Sequence, residues 1–264
     1  MPEGDTVWLL GRRLDDALAG RSLVRSDFRV PQLATADLAG RTVTEVVTRG
    51  KHLLTRIDDD LTLHSHLRMD GSWRLFRPGE RWRGGPGWQV RVVLENADWQ
   101  AVGYRLPVLE LLRRNREGDA VGHLGPDLLG PDWDPEEAVR RIMAAPDREI
   151  GQALLDQRNL AGIGNLYKAE VCFLERVSPW TPVSDVDVRA VVERAHHLLQ
   201  ANRTTARQVT TGDPRRGARN WVFERTGRPC LRCGTPVASA EQGDPPYQRL
   251  SYWCPRCQPR PAER

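Results

Sequence analysis

The chain has 264 residues, of which 39% are hydrophobic, and this is enough for the cores of two domains and a small module. It contains no apolar run of membrane-spanning length, which argues against a helical membrane protein. Residues 201–264 contain 12 arginines and five acidic residues, a net charge of +7, whereas residues 1–200 have a net charge of −3. The basic C-terminal part favours a polyanionic partner such as nucleic acid, and the alternative is a solvated charged surface.

The first predicted element is a helix that ends near Gly20. Asp5 or Thr6 can cap its first turn, and its apolar residues recur at helical spacing at Val7, Leu10, Leu14 and Leu18. From residue 22 to about residue 110, apolar and polar residues alternate between clusters of Gly, Pro and Asp. This alternation predicts a β-sandwich or barrel, with strands in segments 42–47, 53–57, 61–66 and 89–94.

Glycine and proline are concentrated after this region, which predicts a linker at residues 118–133. Helical periodicity then returns in segments 134–143, 150–155, 166–174 and 186–199. We therefore predict an α+β multidomain protein, with an N-terminal β domain at 1–117, a helical domain at 134–225 and a C-terminal module at 226–264.

Two CxxC pairs in the C-terminal module have the spacing of an all-thiolate zinc site. The pairs are separated by 20 residues, and the four cysteines are Cys230, Cys233, Cys254 and Cys257. Each CxxC turn can present two thiolates, and the intervening segment can fold back as a hairpin to join them at one structural Zn²⁺ ion. The alternative is two disulfides, but no apolar signal segment supports it and Cys172 would be left unpaired. Cys172 itself is predicted to be a core residue on an apolar helix.

A short glycine motif lies between two predicted helices. Gly162 and Gly164 allow a tight turn, and Asn165 can cap the helix that follows. The free backbone N–H groups at such a helix end can bind a phosphate. The alternative is an ordinary turn between two helices.

Lysine is rare in this chain: Lys51 and Lys168 are the only lysines among 39 basic residues. Lys51 lies between two predicted strands, so its ammonium can project from a turn and exchange a proton, which arginine does not do. The alternative is an ordinary surface lysine.

Four motifs occur in order along the chain: MPEG at 1–4, RGK at 49–51, LAGIGN at 160–165 and YWCPRCQ at 252–258. Together they resemble the formamidopyrimidine-DNA glycosylase/endonuclease VIII family, most closely its endonuclease VIII branch. The resemblance spans nearly the whole chain. It implies an N-terminal β-sandwich with a leading helix, a helix–two-turn–helix domain and a C-terminal zinc hairpin, with DNA bound between the domains.

The resemblance also implies catalytic roles. Removal of Met1 exposes the amine of Pro2, which attacks the sugar C1′ of a damaged nucleotide and forms a Schiff base. Glu3 is the implied proton shuttle. Lys51 matches the family's proton donor for β-elimination, and Arg249 matches the arginine that grips the flanking phosphates and assists δ-elimination.

Further residues match DNA contacts of the family. Asn165 matches an asparagine that contacts phosphate, and His123 is expected to touch DNA at the linker. The segment 66–71 matches a loop that intercalates into DNA, with Arg68 and Met69 as the wedge. The alternative places Met69 in the core.

Other residues are expected to have structural roles. His64 and His66 share a strand face, but without a third metal ligand we interpret them as structural residues or phosphate contacts. Tyr252 and Trp253 are expected to pack the hairpin. Two departures from the family stand out, namely Thr6, where many relatives have glutamate, and a zinc module longer than usual.

We therefore expect a bifunctional DNA glycosylase/AP lyase of base excision repair that removes oxidised pyrimidines and nicks the strand by β,δ-elimination. Segment 208–229 is short for the loop that covers a flipped purine in relatives, which favours pyrimidines. Two alternatives stay open: an oxidised-purine glycosylase and a non-catalytic zinc-ribbon protein that binds damaged DNA. The expected protein is a cytoplasmic, nucleoid-associated bacterial monomer that binds double-stranded DNA with oxidised bases or abasic sites and has no membrane partner.

Overall fold

A computed structural model of the chain describes residues 2–246 and 248–261. Met1, which we expect to be removed, lies outside them. The described residues form two compact units. The first consists of Pro2 and Thr6–His123, and the second consists of Glu3–Asp5 and the chain from Leu124 onward.

Helix α1 spans Gly4–Leu18, and from Thr6 onward it belongs to the first unit. The apolar face is the predicted one, since Val7, Leu14 and Leu18 are buried. The predicted cap is wrong, because the helix begins before Asp5 and Thr6 and includes both in its first turn.

The first unit contains nine antiparallel strands in two sheets. One sheet has the order β1-β3-β4-β5-β9 and the other has the order β2-β7-β8-β6. The strands are β1 Arg21–Ser22, β2 Arg25–Phe28, β3 Thr42–Arg49, β4 His52–Ile57, β5 Leu61–His66, β6 Ser72–Phe76, β7 Val90–Glu95, β8 Gln100–Tyr104 and β9 Val108–Arg113.

One apolar core joins α1 to both sheets. Leu14 of α1 lies in it with Leu53 and Leu63 of the five-stranded sheet and with Val92 and Leu94 of the other sheet. Because side chains alternate between the two faces of a strand, each sheet can place one apolar face in this core. The predicted β-sandwich with a leading helix is confirmed.

A short helix, α2, occupies Glu117–Val121, so the predicted linker at 118–133 begins within a helix. Glu117 is held by Arg56, which donates hydrogen bonds of 3.0 and 2.8 Å to its carboxylate, and by Thr62 at 2.6 Å. The last residue of the predicted N-terminal domain is therefore tied to strands of the first unit by charge-assisted hydrogen bonds. The domain limits themselves stay a prediction.

The second unit contains four helices: α3 Pro135–Met143, α4 Ile150–Leu155, α5 Asn165–Leu174 and α6 Val188–Asn202. The side chain of Asp134 caps α3 by accepting from Glu137 N, and Asp187 caps α6 by accepting from Ala190 N. Helix α5 packs against both α4 and α6 and is buried along nearly its whole length. Its apolar residues therefore form the centre of this unit.

The C-terminal module is a hairpin of β10, Ala238–Gln242, and β11, Arg249–Trp253, and β11 packs against α5. Trp253 lies edge-on to Trp180 at a centroid distance of 4.7 Å, and Tyr252 contacts Phe223 at 5.2 Å. The prediction that Tyr252 and Trp253 pack the hairpin is confirmed. Among the described residues, no helix is long and apolar enough to cross a membrane.

Candidate active site and metal centre

Glu3 is completely buried and binds the N-terminal end of α5. Its Oε2 accepts from Gly164 N at 2.7 Å and its Oε1 accepts from Leu166 N at 2.7 Å. Tyr167 N adds a longer contact of 3.4 Å. The amides at a helix start lack partners within the helix and carry partial positive charge, so they stabilise a carboxylate at this position.

The glycines of the 160–165 motif make this contact sterically possible. Gly162 has a φ of +108°, in the left-handed region that favours glycine. At Gly164 an added Cβ would lie 2.6 Å from the carboxyl carbon of Glu3, so any larger residue would displace the carboxylate. Gly4 N also donates to Gly162 O at 2.8 Å, which fixes the backbone beside Glu3.

The predicted role of Asn165 as a helix cap is wrong. Gly164 occupies the N-cap position, and Asn165 is the first residue of α5. The Asn165 side chain instead donates from Nδ2 to the carbonyl oxygen of Leu250 in β11, at 2.9 Å. The predicted phosphate site is also corrected, because the carboxylate of Glu3 already binds the backbone N–H groups assigned to it.

Asp5 is a buried residue of this region whose contacts sequence reasoning did not predict. Its Oδ2 accepts from Tyr167 Oη at 2.8 Å, and its Oδ1 accepts from Gln208 Nε2 at 2.9 Å. Burial, together with the charge of Asp5, raises the pKa of Tyr167, so its hydroxyl stays protonated as a donor. Two carboxylates that lie two residues apart, those of Glu3 and Asp5, thus both bind α5.

In the first unit, Lys51 lies in the tight turn between β3 and β4. Arg49 and His52 pair across the turn, and Gly50 adopts a φ of +57°, as a two-residue hairpin turn requires. Lys51 and Pro2 are both partly buried. Because β3 and β4 pair on either side of this turn, Lys51 lies at the tip of the hairpin, as the sequence predicts.

A histidine cluster lies beside the turn of this hairpin, where His52 begins β4 and pairs with His66 of β5. His52 Nδ1 and His64 Nε2 share a hydrogen bond of 2.9 Å, and His64 Nδ1 lies 3.0 Å from Glu110 Oε2. The His66 and His123 rings lie 4.6 and 6.4 Å from the His52 ring. His52 and Glu110 were not identified from sequence, since they join the cluster only through the pairing of β4 and β9 with β5.

His52 and His66 are held in the neutral state. Burial, together with smaller contributions from the neighbouring histidines and Lys51, lowers the pKa of His52 to about 3. Burial, together with Lys51, lowers the pKa of His66 to about 4. The imidazoles of these two residues are therefore uncharged at neutral pH.

The predicted wedge residues lie on an exposed loop. Met69 is 60% exposed, so the alternative that places it in the core is wrong. Arg68 is exposed and has a φ of +46°, and its backbone N–H donates to His66 Nδ1 at 2.9 Å. An exposed methionine on a loop with a fixed backbone is suited to insertion between bases.

The four cysteines of the two CxxC pairs come together at the base of the hairpin. The sulfur atoms of Cys230, Cys233, Cys254 and Cys257 all lie within 4.8 Å of one another. All five cysteines, each in the described part of the chain, are free of disulfides. Four thiolates with no additional open position match a structural zinc site. In residues 2–246 and 248–261, this is the only group of three or more His, Cys, Asp or Glu side chains with metal-binding spacing.

Arg249 begins β11 and is exposed. It pairs across the hairpin with Gln242. Asn165 connects two predicted site residues, because its backbone begins the helix that binds Glu3 and its side chain holds Leu250 beside Arg249.

Cys172 is completely buried, and burial raises the pKa of its thiol to about 12, as expected of a core residue.

Three parts of the chain match known protein families. Residues 1–105 match the formamidopyrimidine-DNA glycosylase N-terminal domain, residues 124–211 match the H2TH domain of the same enzyme, and residues 227–260 match a zinc finger found in FPG and IleRS.

Similar proteins cover nearly the whole chain. A probable endonuclease 8 2 of Streptomyces coelicolor is 61% identical, covering 100% of this chain and 96% of its own. The DNA-(apurinic or apyrimidinic site) lyase Nei2 of Mycolicibacterium smegmatis is 47% identical, covering 98% and 99%.

Solved structures show the same fold. Lactococcus lactis formamidopyrimidine-DNA glycosylase, bound non-covalently to DNA with an abasic site, superposes with a TM-score of 0.82 at 23% identity, covering 98% of this chain and 100% of that one. MutM bound to DNA with carbocyclic 8-oxo-G gives 0.81 at 21% identity, with the same coverage.

Proposed function

Because the chain belongs to the formamidopyrimidine-DNA glycosylase/endonuclease VIII family, we propose that it removes oxidised pyrimidines from DNA through its N-terminal proline and nicks the strand by β,δ-elimination. At the level of the family, the chain is an endonuclease VIII-like DNA glycosylase and AP lyase of base excision repair. The observation that carries the finer proposal is the attachment of Glu3, the residue that follows Pro2, to the start of α5.

Pro2 is the nucleophile in this mechanism. An α-amino group has an ordinary pKa near 7.7–8.0, so a useful fraction of a proline amine is unprotonated at neutral pH. Its lone pair forms a bond to C1′, the bond from C1′ to the base breaks, and the base leaves with the electron pair and takes up a proton. The sugar then remains on the protein as a Schiff base.

Glu3 moves the protons that this sequence requires. The backbone donors of α5 hold its carboxylate in one orientation next to Pro2 in the chain. From there it can protonate the ring oxygen of the sugar as the ring opens and accept a proton during elimination. A fixed position matters, because misplacing a reacting group by about 1 Å can cost 100-fold in rate.

Cations and amides bind the phosphates and assist strand cleavage. Lys51 supplies a proton for β-elimination from the tip of its hairpin. Arg249 binds the phosphates that flank the flipped nucleotide, since a guanidinium can hold two oxygens at once, and it assists δ-elimination. Asn165 Nδ2 uses one hydrogen for Leu250 O, and its second hydrogen is directed to a phosphate oxygen.

Arg68 and Met69 fill the space that the flipped nucleotide leaves in the duplex, and His123 contacts the DNA backbone. The exposure of Met69 supports this role. Base flipping costs a few kcal/mol of stacking and pairing energy, and an apolar side chain in the gap recovers part of it.

One Zn²⁺ ion is bound by the four clustered cysteines and stabilises the hairpin. The thiolates leave no position for a substrate, so the ion stabilises the fold of the module and takes no part in the reaction. Its site is formed from two turns that β10 and β11 bring together.

The proposed substrates are bases in double-stranded DNA, and the preference for pyrimidines rests on the segment before the zinc module. Thr210 N and Thr211 N both donate to Arg219 O, at 2.8 and 3.2 Å, so residues 212–218 form a short loop closed at its base.

The expected protein is a monomer, since one chain contains every proposed site residue. A cytoplasmic, nucleoid-associated location follows from a chromosomal substrate.

Borohydride trapping tests the proposed nucleophile. Reduction of the Schiff base should link the wild-type chain covalently to DNA that contains an abasic site. Pro2→Thr, or an uncleaved N-terminal tag, should abolish the adduct. If a chain with a blocked N-terminus still forms the adduct, then Lys51 or another amine is the nucleophile and the mechanism is wrong.

A further inference from the structure

Lys168 is a completely buried lysine in the middle of α5. Its Nζ donates to Ser251 Oγ and, at 3.5 Å, to Gln242 Oε1. Burial lowers the pKa of Lys168 to about 8, so the ammonium form still predominates at neutral pH. A buried ammonium with neutral partners costs free energy that an apolar side chain of the same length would avoid. Stability alone therefore gives a poor reason for a lysine at this position.

Both acceptors of Lys168 belong to the zinc hairpin, one on each strand. Ser251 Oγ also donates to Gln242 Oε1, at 2.7 Å. Gln242 Nε2 in turn donates to Pro179 O at 2.7 Å and to Glu149 Oε2 at 2.9 Å, just before α4. A continuous chain of hydrogen bonds, buried except for the partly buried bond to Glu149, thus connects α5, both hairpin strands and the start of α4.

The packing around this chain of hydrogen bonds is tight. An added Cβ at Gly151 would lie 2.5 Å from Gln242 Oε1, so α4 approaches the glutamine amide closely. Gln242 is 5% exposed and Ser251 is completely buried. The hairpin therefore has little freedom to slide along α5 while these contacts are present.

The strand pairing shows which residue this attachment positions. Gln242 lies directly opposite Arg249, and Ser251 is two residues beyond Arg249 on the same strand. Residues two apart, and residues directly paired across strands, share one face of a hairpin. Asn165 adds a bond to Leu250 O, between Arg249 and Ser251. Polar contacts thus hold the residue opposite Arg249 and the two residues after it.

We propose that Lys168 is a positioning residue for Arg249, holding the zinc hairpin in place on α5 so that the guanidinium reaches the DNA phosphates during δ-elimination. This inference rests on the role of Arg249 in the proposed function. The lysine acts through Gln242 and Ser251 and does not touch the DNA.

The test compares Lys168→Met with Arg249→Ala and with the double variant. Single-turnover assays use DNA with an abasic site, so that strand cleavage is measured without base removal. They give the cleavage rate and the ratio of β- to β,δ-elimination products. We expect Lys168→Met to bind zinc and fold normally but to lower the δ-elimination rate by about 10- to 100-fold, as expected for a misplaced group. In the double variant the loss should be no greater than in Arg249→Ala alone, because the two residues act as one unit.

The outcomes separate this inference from the proposed function. If Arg249→Ala itself leaves δ-elimination unchanged, the role of Arg249 fails. If Arg249→Ala is impaired and Lys168→Met is not, or if the two losses multiply in the double variant, the positioning role fails. If Lys168→Met loses its zinc or unfolds, the Ser251→Ala variant is measured in its place. This variant removes the nearer hydrogen-bond acceptor of Lys168 but keeps the lysine charge. A normal ratio of β- to β,δ-elimination products in Ser251→Ala would overturn the proposal.

Discussion

Glu3 combines two tasks in one carboxylate, because it caps α5 and is also the proposed proton shuttle. Gln at this position keeps the shape and one carbonyl oxygen but cannot transfer a proton. We therefore predict that Glu3→Gln lowers the rate of base excision by about 100-fold or more. Single-turnover kinetics on a duplex with one oxidised pyrimidine measures this rate, and DNA affinity should change much less.

Asp5→Asn is the matched control for this substitution. Asp5 is buried two residues after Glu3 and accepts from Tyr167 and Gln208, but it has no proposed part in the chemistry. The control should lose some stability and retain its excision rate per folded molecule. Normal excision by Glu3→Gln would leave Glu3 with a purely structural role.

At the residue scale, the sequence predicts the chemistry of a side chain better than the residues that the side chain contacts. The spacing of the four cysteines points to their chemistry, because each CxxC motif is local in the chain. The roles of Pro2 and Glu3 follow from the resemblance to the family and stay predictions. The contact of Glu3 with Gly164 joins residues far apart in sequence, and no local pattern shows it. The cap assigned to Asn165 failed for the same reason, since Glu3 binds the helix end that a local side chain usually caps. Asp5 failed as a cap because α1 begins one residue before it.

The zinc hairpin is the element on which DNA binding should depend most. Both the β-sandwich and the helical part have apolar cores of their own, so we predict that the zinc is needed for incision and not for folding of the whole chain. Cys254→Ser should release the metal and abolish incision while most of the helical circular dichroism remains. Cys172→Ser, a buried cysteine outside the cluster, should keep both metal and activity. A metal-free wild-type protein with full activity would refute the prediction.

The histidine cluster makes the β-sandwich sensitive to acid. The folded-state pKa values of His52 and His66, about 3 and about 4, lie below the ordinary value of about 6.5. The unfolded chain therefore binds more protons below that value, and stability falls as the pH drops from about 6.5 towards 4. Between pH 7 and pH 5 we expect these residues to account for a loss on the order of 2 kcal/mol.

Urea denaturation at the two pH values measures this loss. The double variant His52→Gln/His66→Gln should lose less stability on acidification than the wild type. His197→Gln, on an exposed position of α6, is the control and should behave like the wild type. Equal acid sensitivity of all three proteins would show that the cluster does not titrate in this way.

Elements were easier to predict than their pairing. Each of the four helical segments beyond the linker lies within a few residues of a helix in the structure, since apolar periodicity depends only on nearby residues. The cluster of His52, His64 and Glu110 depends on the register of three strands, which periodicity does not specify. The same holds for Lys168, whose role emerges only when the hairpin is placed on α5.

At the scale of the whole molecule, the open question is which damaged base the enzyme prefers. We predict that thymine glycol, 5-hydroxyuracil and dihydrothymine are excised faster than 8-oxoguanine opposite cytosine. The short loop at residues 212–218 is closed by Thr211, whose hydroxyl donates to Ala218 O at 2.6 Å, and it leaves little chain for a lid over a purine. A saturated pyrimidine also stacks poorly and costs less to extrude, so an enzyme with few base contacts can select it. Single-turnover excision rates on duplexes that differ only in the lesion test this preference. A clear preference for 8-oxoguanine would place the enzyme among the purine glycosylases. The proposed roles of Pro2, Glu3 and Lys51 would then be unchanged.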